Sequence, residues 1–336
     1  MADTKKLTRQ RARRILTAAA RHTVLVTGDP MLDQFIWGNV DRISPEAPVP
    51  VVQFKRESFM AGGAANVARN LTALGCGARM HSVIGRDDAA KKLRTLLKAD
   101  EVDCQPLITD ADRQTSCKTR IIAQRQQVVR VDRETRTDIT PRLAKRLAKS
   151  IDTGLAKSNA IVIGDYGKGV ITQEYLDELK ALGQRHGVWL SLDPKPVHSL
   201  NLRGLSLITP NRKEAFELAG IDDNTYHAQP LKDQNLMRVA KQLLADLELE
   251  VLLITLGDLG MLVCQPGSKP FHIPTLAREV FDVSGAGDTV IGTYTLAVAA
   301  GADPIEAAML ANHAAGVVVG KLGTATVTPK ELLASI

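Results

Sequence analysis

The sequence predicts an α/β fold built on a mostly parallel sheet with helices on both faces. Short β-rich apolar runs, such as 23–27 and 160–163, alternate with helical patterns of ten or more residues, such as 286–300. This alternation is typical of βαβ units. Two further segments, 35–56 and 115–133, have strand-like patterns and contain no helical pattern. They predict a small β-sheet beside the main sheet.

Each element is predicted from its apolar spacing and from the residue at which the pattern stops. Strands are expected at 23–27, 78–84, 160–163, 188–192, 205–208 and 251–255. Helices are expected at 66–74, 87–97, 172–186, 212–218, 231–247, 286–300 and 304–319. Most of the strands end at Gly, Asp or Pro. In open parallel sheets, ligands collect beyond the carboxyl ends of the strands, so these polar strand ends are where a site is expected.

Composition excludes several classes of protein. The 336 residues carry 43 Lys+Arg against 37 Asp+Glu, a net charge of +6, and 44% of them are hydrophobic, as in a globular protein. With only 4% aromatic residues, stacking on nucleic-acid bases is a poor interpretation of the charge. No apolar run reaches the roughly 18 residues of a membrane span. The four cysteines form no C-x-x-C pair, which favours buried free thiols in a reducing cytoplasm.

The first twenty residues form a basic segment that has two interpretations. Lysines and arginines are frequent there, as in an arm that binds nucleic acid or a membrane surface. The alternative, which we favour, is an amphipathic helix with Leu7, Ile15 and Leu16 against the body. We therefore expect a basic extension at 1–20 and one domain at 21–336, with β-lid segments near 35–56 and 115–133.

The strongest local motif is Asp282-Val283-Ser284-Gly285-Ala286-Gly287-Asp288-Thr289, at the start of a long apolar helix. Small residues let the backbone approach a ligand, and the first N–H groups of a helix lack internal partners. This is a phosphate cradle with a carboxylate beside it, a pattern that predicts phosphoryl transfer with Asp288 accepting the proton of the acceptor hydroxyl. The structural alternative is a tight turn in which Asp288 only stabilises the helix.

A second glycine motif precedes the first predicted helix of the body. Gly62 and Gly63 lead into Asn66, whose amide can bond a polyol through both its ends. Close packing of the helix start is an equally physical explanation of the two glycines.

The two motifs together resemble a known family. The stretch from Gly62 to Ala68, with Gly75 and Gly85 following, looks like the N-terminal signature of the ribokinase (PfkB) family of carbohydrate kinases, and 282–288 resembles its C-terminal signature. Thr293 departs from that signature, which usually has Ala or Gly there. The resemblance implies a ribokinase-like sheet with a β-lid, and the lid implies a homodimer.

Within the family, the chain looks like the kinases that act on D-glycero-β-D-manno-heptose 7-phosphate, over residues 20 to 332. The similarity rests on the segments 43–50, 118–120, 130–134, 165–169, 193–195 and 320–324. It implies transfer of the ATP γ-phosphoryl to the C1 hydroxyl, giving the 1,7-bisphosphate for ADP-heptose and lipopolysaccharide core synthesis. Its length implies a kinase without a fused transferase, followed by a separate nucleotidyltransferase and phosphatase. The alternatives are a kinase for ribose, fructose or tagatose 6-phosphate, or a non-catalytic sugar-binding protein.

The resemblance also implies roles for individual residues. Asp288 matches the catalytic base, and the anion hole matches Gly285, Ala286 and Gly287. The nucleotide and its Mg²⁺ are expected at Asn211 and Glu214, which equally fit a helix capping box, and at Thr255, Gly257, Asn312 and Gly323. The sugar is expected at Asp29, Asp33, Gly62, Gly63 and Asn66. Lys118, Arg120, Lys168 and Lys195 are unranked candidates for its 7-phosphate, and each is equally an ordinary surface cation. Asp282, with Ser284, is the candidate for a monovalent cation, K⁺.

Overall fold

A twisted sheet of eight strands forms the centre of the molecule in this computed structural model, which describes residues 6–124, 126–196, 199–277 and 280–336. The strands of the described residues are β1 (Thr23–Gly28), β2 (Pro30–Ile43), β3 (Pro50–Gly63), β4 (Gly77–His81), β5 (Val83–Ile84), β6 (Ile108–Thr109), β7 (Ser116–Ala123), β8 (Gln126–Arg133), β9 (Ala160–Gly164), β10 (Trp189–Asp193), β11 (Leu207–Ile208), β12 (Val251–Thr255), β13 (Met261–Cys264) and β14 (Phe271–Ile273). The main sheet has the order β14-β13-β12-β11-β10-β9-β1-β4. It is parallel from β4 to β12, and only β13 and β14 run antiparallel.

Helices cover both faces of this sheet, as the sequence predicted. They are α1 (Arg9–Ala19), α2 (Ala64–Ala73), α3 (Asp88–Ala99), α4 (Pro141–Leu155), α5 (Gln173–His186), α6 (Arg212–Ala219), α7 (Gln234–Asp246), α8 (Ala286–Ala299), α9 (Pro304–Val318) and α10 (Pro329–Ser335). Successive side chains of a strand point to opposite faces, so Val24 and Val26 belong to the apolar cluster that includes residues of α2, α8 and α9, while Leu25 belongs to the cluster that includes residues of α4 and α5. The mostly parallel α/β prediction is confirmed.

A second sheet of four strands, in the order β3-β2-β7-β8, forms the lid. The strands β2 and β3 are longer than the short strands expected at 35–56. The prolines at 45 and 48 do not interrupt either strand, because they lie in the turn between them, and Pro50 begins β3. Since β3 is an edge strand, a proline at its start removes no hydrogen bond from the centre of the sheet. The lid is joined to the body without linkers: Asp29 alone separates β1 from β2, and α2 begins directly after β3.

Several elements differ from the sequence prediction. The single strand expected at 78–84 is divided, because β4 belongs to the main sheet and β5 pairs with β6 in a separate two-stranded sheet. The strands β6, β13 and β14 and the helices α4 and α10 were not predicted. The strand-like pattern at 278–281, before the octapeptide, lies partly outside the described residues, and its described part, 280–281, forms no strand.

The segment at the N-terminus forms α1, which packs on the body through Ile15 and Leu16, as the amphipathic alternative predicted. Arg11 of this helix pairs with Glu306 of α9 at 2.8 Å. All four cysteines are buried free thiols. Within the described ranges, none of the helices is long and apolar enough to cross a membrane.

Candidate active site

The start of α8 borders a cavity of the body, which Ala286 and Gly287 help to line. Gly285 is the N-cap residue, with a φ of +77° and no side-chain hydrogen bond to the helix. Its left-handed backbone turns the chain sharply into Ala286 and Gly287, so the first turn of the helix is free of side-chain caps. An uncapped helix start of this kind is suited to binding an anion.

Asp288 lies in the first turn of α8 and is buried, with 6% of its surface exposed. Its Oδ2 accepts a hydrogen bond of 2.7 Å from Nδ2 of Asn66, and its Oδ1 is bound by the hydroxyl of Tyr166. Burial raises the pKa of Asp288 to about 6, and the hydrogen bonds from Tyr166 and Asn66 oppose this rise. The carboxylate is therefore ionised at neutral pH but titrates close to it, as suits a general base.

The glycine motif at 62–66 and the octapeptide at 282–289 thus meet in space. Asn66 lies in the first turn of α2, entirely buried, and reaches across to α8. Gly62 is packed against Asp33, because a Cβ at position 62 would lie 2.2 Å from an oxygen of that carboxylate. Gly63 has a φ of +57° where β3 turns into α2. The two glycines therefore serve packing, and their contact with a sugar stays a prediction.

Asp29 fixes the backbone of the loop 166–170, which belongs to the site. Its carboxylate accepts three backbone hydrogen bonds, at 2.9, 3.0 and 3.1 Å, from Tyr166, Lys168 and Val170. Burial raises the pKa of Asp29, and these bonds oppose the rise. With 1% of its surface exposed, Asp29 has little area left for a ligand. Its direct contact with sugar hydroxyls stays a prediction.

The four cations predicted for a sugar phosphate differ in their partners. Arg120 pairs with Asp33 at 2.5 Å, Lys168 with Glu134 at 2.7 Å, and Lys195 with Glu214 at 3.1 Å. Within the described parts of the chain, Lys118 of β7 is the one of the four that has no ion pair. Burial lowers the pKa of Lys118, the charges of Asp33 and Asp132 oppose this, and the cations Lys168 and Arg130 lower the pKa further. Asp33 and Asp132 therefore compensate part of the charge of Lys118 without an ion pair, and its contact with a sugar phosphate stays a prediction.

A cavity of about 440 Å³ lies beside the start of α8. The predicted nucleotide residues Thr255, Gly257 and Asn312 line it together with Ala286 and Gly287 of the helix start. Most of its remaining wall is apolar and comes from Met261, Val280, Val283, Val290, Ala315 and Val319. An apolar cavity that borders an uncapped helix start has the size and polarity to hold a nucleotide, and the contacts of these residues with one stay a prediction.

Gly323, also predicted for the nucleotide, lies elsewhere. Its N–H donates to Asp282 at 2.9 Å, and a Cβ there would meet the sulfur of Met60 on the lid at 2.7 Å. Asp282 also accepts the N–H of Ser284 at 2.9 Å. Although burial raises the pKa of Asp282, these hydrogen bonds lower it overall. Asp282 therefore ties the 320–324 turn to the helix start, and its role toward K⁺ stays a prediction.

Asn211 and Glu214 form the capping box of α6, so the structural alternative for this pair is confirmed. The carboxylate of Glu214 accepts the N–H of Asn211 at 2.9 Å and faces Lys195. Among the described residues, no cluster of three or more His, Cys, Asp or Glu side chains is arranged to hold a metal ion. Mg²⁺ bound mainly by phosphate oxygens and water needs no such cluster, so one carboxylate is compatible with it.

Two residues of the site were not singled out from the sequence. Tyr166 contacts Asp288, and Asp193, at the end of β10, accepts the hydroxyl of Thr209 at 2.9 Å and faces the start of α8. Burial, together with the charges of Asp288 and Glu214, raises the pKa of Asp193 to about 8. Both residues lie in strand-end motifs whose lysines, Lys168 and Lys195, were chosen instead. The polar strand end itself was the available signal.

Solved structures with the same arrangement show the fold. A ribokinase from Arabidopsis thaliana complexed with ribose and ATP superposes with a TM-score of 0.73 at 18% identity, covering 94% of this chain and 98% of that one. Phosphofructokinase-2 from Escherichia coli in complex with potassium gives a TM-score of 0.74 at 19% identity, covering 93% and 96%. The ribokinase-like fold predicted from the sequence is confirmed.

Sequence comparison is more specific. The bifunctional protein HldE of Geotalea uraniireducens (strain Rf4) is 44% identical over 322 residues, and that of Caulobacter vibrioides (strain ATCC 19089 / CIP 103742 / CB 15) is 45% identical over 321 residues. The alignments cover 96% and 94% of this chain but 64% of each relative, so the chain spans less than two thirds of their length. The family described as "pfkB family carbohydrate kinase" matches the chain over residues 21–331. Both signature motifs lie within that match and meet at Asp288, and the chain belongs to the pfkB family of carbohydrate kinases.

Proposed function

We propose that the protein phosphorylates D-glycero-β-D-manno-heptose 7-phosphate at its C1 hydroxyl, with ATP as the donor, giving heptose 1,7-bisphosphate in the cytoplasm. The observation that carries this proposal is the placement of Asp288, a buried carboxylate beside the uncapped start of α8 and next to a nucleotide-sized cavity. The identity of over 40% with proteins named HldE supports the heptose substrate over other sugars.

The geometry suggests how the site performs the transfer. The adenosine occupies the cavity lined by Thr255, Gly257 and Asn312, and its phosphates reach the backbone at 285–287. There the N–H of Ala286, which donates to the carbonyl of Val283 at 3.2 Å, is shared with a phosphate oxygen. Asp288 accepts the proton of the C1 hydroxyl as the oxygen attacks the γ-phosphorus. The helix start then stabilises the negative charge on the moving phosphoryl group, a contribution that is large in a site shielded from water.

The metal would be held mainly by the substrate. Glu214 supplies one carboxylate at the edge of the phosphate region, and Mg²⁺ bound there through water would neutralise charge on the ATP phosphates. Lys195, paired with Glu214 at 3.1 Å, lies at the same edge.

The lid supplies the contacts to the acceptor. Asp33 and Arg120 form an ion pair on neighbouring strands β2 and β7, with Asp33 Oδ1 and Arg120 Nη1 2.5 Å apart. Lys118, two residues before Arg120, lies near Asp33 and Asp132 without forming an ion pair with either, so its ammonium group can bind a 7-phosphate. In this proposal the carboxylate of Asp33 orients sugar hydroxyls while Lys118 selects a phosphorylated sugar.

The outer strand of the lid supports a homodimer. All eight residues of β8 are exposed, including Val128, Val129 and Val131, and Phe54 of β3 is 65% exposed. A sheet edge with exposed apolar side chains is a surface that a second copy would cover. Light scattering tests this: the mass of two chains is expected, and the mass of one chain would contradict it.

A coupled assay of ADP release tests the substrate. Wild-type protein is compared on heptose 7-phosphate, ribose, fructose and tagatose 6-phosphate at equal concentrations. We expect the highest kcat/KM on heptose 7-phosphate. Activity on ribose without activity on heptose 7-phosphate would reject the proposed substrate while leaving the family assignment intact.

A further inference from the structure

Tyr166 connects the proposed base to the body of the protein. Its hydroxyl contacts Oδ1 of Asp288, whereas Asn66 occupies Oδ2 from the other side. The phenol remains protonated, because burial and the charge of Asp288 raise the pKa of Tyr166 well above its usual range. The hydroxyl is therefore the donor and the carboxylate the acceptor. Each oxygen of Asp288 has one partner fixed by the protein and keeps one lone pair for a substrate.

The backbone of Tyr166 is held by hydrogen bonds other than the one with Asp288. The backbone N–H groups of Tyr166, Lys168 and Val170 all donate to the buried carboxylate of Asp29. The guanidinium of Arg113, 8% exposed, donates to the backbone oxygens of Lys168 and Thr137. Asp29 therefore binds N–H groups of the loop while Arg113 binds one of its carbonyl groups, and together they fix the backbone that carries the phenol.

This arrangement differs from the second polar tyrosine contact of the core. Tyr175, on α5, shares a 2.8 Å hydrogen bond with the hydroxyl of Thr27, and both groups are neutral. A hydrogen bond to an ionised group is stronger and favours the charged form. Of these two tyrosine contacts, the one made by Tyr166 acts on the protonation of a carboxylate, and the one made by Tyr175 does not.

We propose that Tyr166 is a positioning residue for Asp288: its hydroxyl fixes the orientation of the carboxylate and stabilises its ionised form against burial. The function of Asp288 as a base rests on the proposed kinase activity, but the coupling of Tyr166 to Asp288 is a property of the folded chain. The other groups that act on the charge of Asp288 are Asp33 on β2, Lys118 on β7 and Asp193 at the end of β10. Replacement of Tyr166 leaves all three in place.

The direct test is a titration of Asp288 without substrate. Protein labelled with ¹³C at the aspartate carboxyl carbons is followed by NMR from pH 4 to 9, and the resonance missing from Asp288→Asn identifies Asp288. We expect the midpoint of Tyr166→Phe to lie about one pH unit above that of the wild type. Tyr175→Phe, the matched control, is expected to leave the midpoint unchanged. An equal midpoint in wild type and Tyr166→Phe would overturn the proposal.

A second substitution at position 166 is expected to shift the titration midpoint of Asp288 in the opposite direction. With 3-fluorotyrosine placed at position 166, the phenol is a stronger donor, so the midpoint of Asp288 is expected to fall below that of the wild type. This variant keeps the shape of the tyrosine, and so the test holds if Tyr166→Phe fails to fold. An unchanged or higher midpoint with 3-fluorotyrosine would contradict the proposal.

The pH dependence of kcat/KM distinguishes an effect of Tyr166 on the pKa of Asp288 from a purely structural effect. The acidic limb of kcat/KM in Tyr166→Phe is expected to move to higher pH together with the midpoint, so that the rate deficit shrinks as the pH rises. A purely structural role would lower kcat/KM by the same factor at every pH. If the wild type proves inactive on heptose 7-phosphate, the proposed function fails, but the substrate-free titration still decides the role of Tyr166.

Discussion

Asn66 of α2 and Asp288 of α8, 222 residues apart in the chain, meet through a hydrogen bond of 2.7 Å from Nδ2 to Oδ2. Gly285 makes this contact possible, because a Cβ at that position would lie 2.5 Å from Nδ2 of Asn66. The glycine of one motif thus leaves room for the asparagine of the other. The site is therefore formed by residues from both ends of the domain.

Gly285→Ala is expected to reduce both stability and turnover, because it adds the clash with Asn66 to the strain of a φ of +77°. Gly301→Ala is the matched control, since Gly301 has a φ of +80° and open space around its Cα. Strain alone is expected to lower the stability of the control by about 1 kcal/mol without changing turnover. Thermal melts and ADP release measure both effects, and equal turnover of the two variants would contradict the account.

Asp288→Asn is expected to raise the melting temperature at pH 8. The folded state holds the protonated carboxyl better than the ionised one, so the contribution of Asp288 to stability is present below about pH 4 and lost as the pH rises through about 6. Removing the charge should restore up to about 3 kcal/mol at pH 8 and about half of that at pH 5. A gain of equal size at both pH values would argue against a buried charge.

Asp233→Asn is the control, because it is expected to change the melting temperature in the opposite direction. Burial raises the pKa of Asp233, but hydrogen bonds from the N–H of Leu236, from Thr225 and from Arg212 lower it overall. The charge of Asp233 therefore stabilises the fold above about pH 4. Its removal should lower the melting temperature at pH 8, where removal of the charge of Asp288 raises it.

The central sheet and the position of the site follow from sequence pattern, whereas several of its contacts do not. The strand β1 and the helix α8 have apolar patterns that burial enforces, and the signature glycines mark where they end or begin. Tyr166 lies in a polar strand-end segment, but nothing in its residue type marks it, because Asp29 binds backbone N–H groups, which every residue type except proline has. Likewise, the ranking of Lys118 over Lys168 depends on Glu134, which approaches Lys168 only in the folded chain.

The helix α4 was missed although its signals were present. Thr140 caps it and Pro141 occupies its first turn, an arrangement that favours a helix start. In contrast, the antiparallel edge of β13 and β14 has short runs of four and three residues, and the pairing partner that decides their direction lies outside any local pattern.

The rate of phosphoryl transfer is expected to fall at acid pH. Since burial raises the pKa of Asp288 to about 6, the base is mostly protonated below that pH. In this range kcat/KM should drop about tenfold for each pH unit. A profile of kcat/KM from pH 5 to 9, with both substrates well below saturation, measures the limb, and a flat profile down to pH 5 would exclude Asp288 as the titrating base.

Lys118→Ala is expected to raise the KM for the phosphorylated sugar by about 10- to 100-fold, because a charge-assisted contact to phosphate is lost. The KM for ATP should stay unchanged. Lys55→Ala is the control, since Lys55 is an exposed lysine on β3 of the same lid. If both variants raise the KM for the sugar equally, the effect is one of general charge and Lys118 has no specific role.

Mass spectrometry of the product formed from heptose 7-phosphate and ATP, with ³¹P NMR to locate the new phosphate, tests the account most directly. Wild-type protein is expected to yield a heptose bisphosphate whose second phosphate is on the anomeric carbon. Asp288→Asn should bind the sugar phosphate but form no bisphosphate on the same time scale. Undiminished bisphosphate formation by Asp288→Asn, or a wild-type product unchanged in mass, would contradict the account.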